Sequence, residues 1–161
     1  MERPILTSGE RWRRIFKRFN RLMLLLWWLG LGRWINAWPA VGGRIMVISH
    51  TGRNSGLRRR TPVNYVMVDG DVYCTAGFGP RSDWYRNLLA NPEVELWLPG
   101  SRRTGWAEDV SGCEQHLPLL RQVLIASGFA AYLAGINPRS ISDEGLRKAT
   151  ADYRLVRIRL T

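Results

Sequence analysis

The chain has 161 residues, 45% of them hydrophobic and eight of them Trp, a length that suits one domain with a real core and a composition that excludes disorder. Its formal charge of +11 is unevenly placed, because residues 1–60 hold 13 Arg and Lys against 2 acidic residues whereas residues 61–161 hold 11 of each sign. Such a field attracts a polyanion: nucleic acid, an anionic membrane surface or a multiply charged cofactor.

Thr7-Ser8-Gly9-Glu10 has the S/T-x-x-E pattern of a capping box and opens a predicted helix that runs to about Leu31. Its first half is basic and amphipathic, with Arg11, Arg13, Arg14, Lys17, Arg18 and Arg21 set against Trp12, Ile15, Phe16, Phe19 and Leu22. Its second half, Leu22 to Gly32, is apolar all round, yet eleven residues between Arg21 and Arg33 fall short of the ~20 that span a bilayer. No small-residue cleavage site marks a secretory signal. A basic, Trp-bearing segment of this kind covers a sheet or the partner subunit of a homodimer, or lies on a membrane surface.

Arg44 to His50 reads as a buried strand, followed by the turn Thr51-Gly52-Arg53-Asn54-Ser55-Gly56-Leu57-Arg58-Arg59-Arg60-Thr61-Pro62, which packs four Arg into twelve residues. Thr61 to Val68 is a second strand, and Asp69-Gly70 signals a hairpin into Val72 to Ala76. After the loop Gly77-Phe78-Gly79-Pro80-Arg81, Ser82-Asp83 caps a helix over Trp84 to Ala90, with Trp84 and Leu88 facing the core and Asn91-Pro92 ending it. Val94 to Leu98 and Thr104 to Val110 form a second hairpin around Pro99-Gly100. Ser111-Gly112-Cys113-Glu114 reads as a further capping box, opening a helix with Leu117, Leu120, Val123 and Leu124 on one side; Ser142-Asp143-Glu144 begins a short helix and Tyr153 to Leu160 closes the sheet. The expected fold is α+β and mainly β, an antiparallel barrel of about six strands with peripheral helices. It divides into an N-terminal basic amphipathic helix region, residues 1–40, and a single barrel domain, residues 41–161.

Small residues in the Thr51–Pro62 turn let backbone N–H groups converge on a phosphate or carboxylate, and Arg adds bidentate charge-assisted hydrogen bonds. Period-two geometry sends Arg59, Thr61, Val63 and Tyr65 to one face of the strand and Arg58, Arg60, Asn64 and Val66 to the other. The Gly77–Leu88 stretch pairs a glycine-rich strand exit with a helix N-terminus, where free N–H groups and the helix dipole also favour anions. Cys74 and Cys113 lack C-x-x-C spacing and His50 and His116 are the only histidines, so no metal site, disulfide framework or Ser-His-Asp triad is expected, each His reads as structural or exposed, and a reduced cytoplasmic setting follows. No G-x-G-x-x-G or Walker sequence appears.

T-G-R-N-S-G-x-x-R-x-T-P at residues 51–62, with D-W-Y-R-N-L-x-A-N-P-x-V at residues 83–94, resembles the deazaflavin-dependent nitroreductase family, split β-barrel reductases that use reduced coenzyme F420. The resemblance covers residues 10–110 well and the C-terminal third loosely, and it implies the FMN-binding-like split barrel. It implies that Arg53, Ser55, Gly56 and Arg59 contact the phosphate and oligoglutamate tail, with Thr61-Pro62 starting the strand along the deazaflavin. Asn54 stands where the family commonly has Lys, a lost cation for which Arg58 or Arg60 compensates. Ala76, Gly77, Phe78 and Gly79 correspond to the loop whose backbone borders the ring system, without the Lys often found there. Tyr132 falls where family members place substrate-facing Tyr residues, and Tyr65 and Trp84 are candidate pocket walls.

The function expected is transfer of a hydride from the reduced deazaflavin to an activated double bond, quinone or nitro group of a hydrophobic substrate, lipids included, in the cytoplasm or peripherally at the inner face of the membrane. FMN in the same cleft is the alternative cofactor, and a non-catalytic cofactor-binding or membrane-surface module the alternative class. Nucleic acid ranks last among partners because no helix-turn-helix, RRM-like or stacked-aromatic strand pattern accompanies the charge.

Overall fold

Asp69 and Gly70 both take positive φ, 52° and 87°, the conformation of the tight hairpin turn whose twist matches that of the strands it joins. In the structure, a computed structural model describing residues 21–29, 31, 36–37 and 43–161, that turn links two of six strands. These are β1 (Ile45–Thr51), β2 (Arg58–Val68), β3 (Asp71–Ala76), β4 (Glu93–Leu98), β5 (Ser101–Asp109) and β6 (Arg154–Leu160). Neighbours pair antiparallel in the closed order β1-β2-β3-β6-β5-β4, so the expected barrel is present and each of these six strands is paired on both sides. Helices α1 (Asp83–Ala90), α2 (His116–Ala126), α3 (Phe129–Leu133) and α4 (Asp143–Ala149) complete it, with a 3-10 turn at Gly79–Arg81. Residues 21–28 are helical; the start of the helix expected from Ser8 lies outside the described residues.

Alternation along the strands fills the barrel. Met46, Ile48, Val72, Leu96 and Ile158 are fully buried there beside Cys74, each of the five contributing about 1.5–3 kcal/mol of apolar burial. Helix α1 adds Tyr85 and Leu88 to the same cluster, with Trp84 packed against it, so the expected core face of this helix is the one buried. The outer faces of β2, β3 and β6 are covered in turn: Tyr73 and Leu155 pack on Leu119 and Val123 of α2, with Val66 and Val68 beside them. Burial on both faces explains the apolar run Val72-Tyr73-Cys74 within β3. Leu120 and Leu124 on the far side of α2 carry α3 and α4 through Ala131, Ile136 and Leu146.

Two expectations change. Ser111 does not cap a helix: its hydroxyl accepts the N–H of Leu155 at 2.9 Å, its own N–H goes to Asp109 Oδ1, and α2 begins only at His116. Ser82 occupies the N-cap position of α1 but its side chain makes no cap bond, whereas Ser142 does cap α4, accepting from Gly145 at 3.1 Å. Gly79 is required where β3 leaves the barrel, because its φ is +52° and a Cβ there would collide with the carbonyl of Asp152.

Candidate functional site

β1 ends where the chain must reverse, and residues 52–57 do so within a compact loop. The N–H of Gly52 donates to Leu57 O at 2.9 Å and that of Gly56 to Gly52 O at 2.8 Å; Gly56 takes φ +66°, a region that a side chain disfavours. The N–H groups of Asn54 and Ser55 have no acceptor among the described residues.

This loop is clasped to α1. Asp83 and Asn87 are four residues apart, hence on one helical face, and that face meets Arg53. The Arg53 guanidinium donates through Nη1 to Asn87 Oδ1 at 3.0 Å and to the Asp83 carbonyl at 3.4 Å, and through Nη2 to Asp83 Oδ1 at 3.3 Å. Its backbone N–H also donates to Asn87 Oδ1, at 3.1 Å. Burial works against ionising Asp83, yet hydrogen bonds from Arg53 and Arg86 hold its carboxyl below the ordinary range. The two motifs singled out in the sequence are therefore joined by direct bonds.

Beneath the clasp, Asn87 Nδ2 lies 3.3 Å from His50 Nδ1, and His50 Nε2 lies 3.1 Å from Thr61 Oγ1. His50 is 2% exposed and Asn87 4%. Burial first, and then the nearby Arg59 cation, push the His50 imidazole down to about 4, so it is neutral at physiological pH.

A cavity of about 300 Å³ opens at this end of the barrel, lined by Gly52, Arg53, Asn54, Ser55, Arg59, Asp83 and Asn87. The three consecutive Arg residues have different surroundings. Arg58 sits 3.7 Å from Glu95, and Arg60 stacks over the Trp97 ring, 4.4 Å from its centroid, as Arg102 also does. No described carboxylate lies within ion-pair distance of Arg59, which faces the cavity. All three are exposed, so none bears the desolvation cost that burying two like charges would carry.

Of the other predicted residues, Thr61 and Pro62 continue β2, and Ala76, Gly77, Phe78 and Gly79 leave β3 toward α1. Gly77 lies against the Tyr153 ring. Trp84 packs on the barrel core and Tyr65 is buried inside it. Tyr132, on α3, is 44% exposed and is not part of the cavity lining. A second cavity, of about 480 Å³, lies between Trp27 and Trp28 and the β4–β5 hairpin, with Trp97, Leu98 and Arg102 in its wall. The sequence assigned no role to Asn87 and read His50 as structural or exposed. The spacing of Asp83 and Asn87 on one helix was the available signal for the first; nothing local signals the second.

Residues 32–140 match the family model described as F420H2-dependent quinone reductase. Solved structures of similar fold include HutZ, the heme storage protein from Vibrio cholerae, at 14% identity over 73% of this chain and 82% of that one with a TM-score of 0.53. An F420-H2 dependent reductase, FDR-A, aligns at 19% identity over 71% of this chain and 93% of that one, TM-score 0.52. The conserved hypothetical protein Rv2991 from Mycobacterium tuberculosis aligns at 16% identity over 98% and 84%, TM-score 0.52. At these identities the likeness to solved structures is one of fold.

Proposed function

The chain belongs to the F420H2-dependent quinone reductase family, and from that premise we propose that it is a reductase that binds coenzyme F420 at the Thr51–Pro62 turn and reduces an activated double bond, quinone or nitro group of a hydrophobic substrate. The observation that carries the reading is the clasp from Arg53 to Asp83 and Asn87, which sets the Arg59 side chain at the mouth of a polar cavity with no described carboxylate paired to it. The donor set fits an anionic tail: Arg59, the Ser55 hydroxyl, the remaining guanidinium N–H groups of Arg53, and the N–H groups of Asn54 and Ser55 would hold phosphate or carboxylate oxygens. Asn54 adds hydrogen-bonding capacity without charge, and Gly56 keeps the loop narrow. Arg60 is drawn away toward Trp97 and contributes field more than contact.

When bound, the deazaflavin supplies a two-electron hydride donor at carbon. The chain's own part is to bind, orient and exclude water. Arg59 would neutralise the tail, Thr61 and Pro62 would fix the strand beside it, and the backbone of Ala76 to Gly79 would border the ring, with Trp84 of α1, packed on the barrel core, stiffening that wall. Tyr132 is assigned to the substrate side, on α3. The aromatic walls of the second cavity, Trp27, Trp28 and Trp97, support a hydrophobic acceptor. The exposed Leu22, Leu25, Trp28 and Leu29 support a peripheral position on an anionic membrane surface at the cytoplasmic side.

Parallel titrations with oxidised F420 and FMN, followed by oxidation of reduced F420 with a quinone such as menadione, test the reading. Expected are F420 binding in the micromolar range or tighter and quinone-dependent oxidation. No detectable F420 binding at high micromolar concentration overturns it, and FMN binding in its place reassigns the cofactor, an outcome that the uncharged Asn54 makes worth measuring.

A further inference from the structure

Asn87 can point its amide only one way. Its Oδ1 accepts two bonds from Arg53, one from the backbone N–H at 3.1 Å and one from Nη1 at 3.0 Å, so that atom is an acceptor and the other end of the amide, Nδ2, is the donor. Nδ2 lies 3.3 Å from His50 Nδ1, which must then be the unprotonated ring nitrogen. The single ring proton is on Nε2, 3.1 Å from Thr61 Oγ1, and Thr61 must accept it. A hydroxyl that accepts one bond keeps its own proton to donate, and the structure shows no acceptor for the Thr61 proton among the described residues. Thr61 lies on β2 two residues beyond Arg59, on the same face of the strand.

We propose that His50 and Asn87 are positioning residues of the cofactor site: they relay a one-directional chain of hydrogen bonds from the Arg53 clasp to Thr61, so that the Thr61 hydroxyl is held as a donor to the cofactor that Arg59 anchors. The inference rests on the F420 reading for the identity of that cofactor, while the direction of the chain stands on the protein alone. Nothing in it requires His50 to gain or lose a proton during turnover. Its neighbours argue for a fixed state, since the Arg59 cation acts on the ring and a second ring proton would oppose the Asn87 amide donor to donor. Sequence separation hides the relay: His50 and Asn87 are 37 positions apart and meet only because α1 caps the end of the barrel.

Asn87→Asp tests the direction. The carboxylate keeps an acceptor for Arg53 but replaces the Nδ2 donor by an oxygen, so His50 should place a proton on Nδ1, and Thr61 should turn its own proton toward Nε2 or lose its bond. The nitrogen-15 shifts of the His50 ring report this without any cofactor: the wild type should show the Nε2–H tautomer, and Asn87→Asp the Nδ1–H tautomer or the imidazolium. Titration with oxidised F420 should then show a loss of affinity on the order of 10-fold for Asn87→Asp and for Thr61→Val, the scale of one hydrogen bond. Thr61→Ser should restore it, and His50→Gln, which can still accept from Asn87 and donate to Thr61, should bind nearly as the wild type. Thermal melting checks that each variant is folded. An Nδ1–H tautomer in the wild type overturns the relay, and so does unchanged F420 affinity in Asn87→Asp or Thr61→Val when the wild type binds F420. Absence of F420 binding by the wild type itself overturns the cofactor reading, and the role given to Thr61 with it.

Discussion

Three Arg residues in succession, Arg58, Arg59 and Arg60, have separate surroundings because a strand points neighbours to opposite faces and because each meets a different partner. Arg58 answers Glu95 and Arg60 lies on Trp97, which leaves Arg59 as the member of the run with a cavity in front of it. Arg53, five residues earlier, is spent mainly on the fold: it ties the turn to α1 through Asp83 and Asn87. Substitution should separate the two roles. If Arg59 holds the cofactor tail as proposed, Arg59→Ala should weaken F420 by about 1.5–3 kcal/mol with the melting temperature nearly unchanged. Arg53→Ala removes the guanidinium bonds to Asn87 Oδ1 and to Asp83, leaving the buried Asn87 oxygen with the backbone N–H of residue 53 as its donor, and should lower stability by about 1 kcal/mol as well as affinity. A fluorescence titration and a melting curve on each variant check this, and an Arg59→Ala protein that binds as well as the wild type would return Arg59 to the solvent.

At the scale of elements, His50 joins three of them, lying on β1, bonded to Thr61 of β2 and to Asn87 of α1. Its imidazole is held down to about 4, against an ordinary value of 6.5, first by burial and then by Arg59. A folded-state value below the unfolded one means that between these limits the unfolded chain takes up a proton that the folded chain refuses. Stability from this group is thus complete above about pH 6.5 and is lost as pH falls toward 4. At about 1.4 kcal/mol per pH unit, the full loss comes to roughly 3 kcal/mol. Urea unfolding of wild type and His50→Gln at pH 7 and pH 4.5 isolates the contribution from the carboxylates, which titrate in both proteins. The wild type should lose more of its stability than the variant does, and equal losses would place a solvated His50 on the barrel rim. These couplings also mark how far the sequence could be read. All six strands were legible, since Asp69-Gly70 and Pro99-Gly100 are strong turn signals and the apolar runs are short. The arginine turn was legible too, from glycine and charge alone. The start of α2 was not, because Ser111 spends its hydroxyl on Leu155 across the sheet. The clasp and the relay were not either, because periodicity reports which face of an element is buried and is silent about which distant element covers it.

Over the whole molecule the excess of positive charge belongs to residues 1–60, with 13 Arg and Lys against 2 acidic residues, and its described part adjoins an unusually apolar surface. Leu22, Leu25, Trp28 and Leu29 are 52%, 51%, 75% and 56% exposed, on or just after a helical stretch at residues 21–28. Among the described residues no helix is long and apolar enough to cross a bilayer. Exposed Leu and Trp flanked by cations are suited to the interfacial zone, where apolar side chains enter the acyl boundary and Arg meets lipid phosphate. Such a position would also shorten the path of a lipid-soluble quinone to the second cavity, whose wall includes Trp27 and Trp28. The full chain should therefore pellet with vesicles containing phosphatidylglycerol and much less with neutral phosphatidylcholine vesicles, and raising the salt concentration should release a large part of it. Combining Leu25→Glu with Trp28→Glu adds two negative charges and removes two apolar anchors without touching the barrel core, so binding to the anionic vesicles should fall at least about 10-fold while F420 affinity stays as it was. Equal pelleting of variant and wild type would assign this apolar face to another copy of the chain, an alternative that sedimentation of the protein without lipid would show directly.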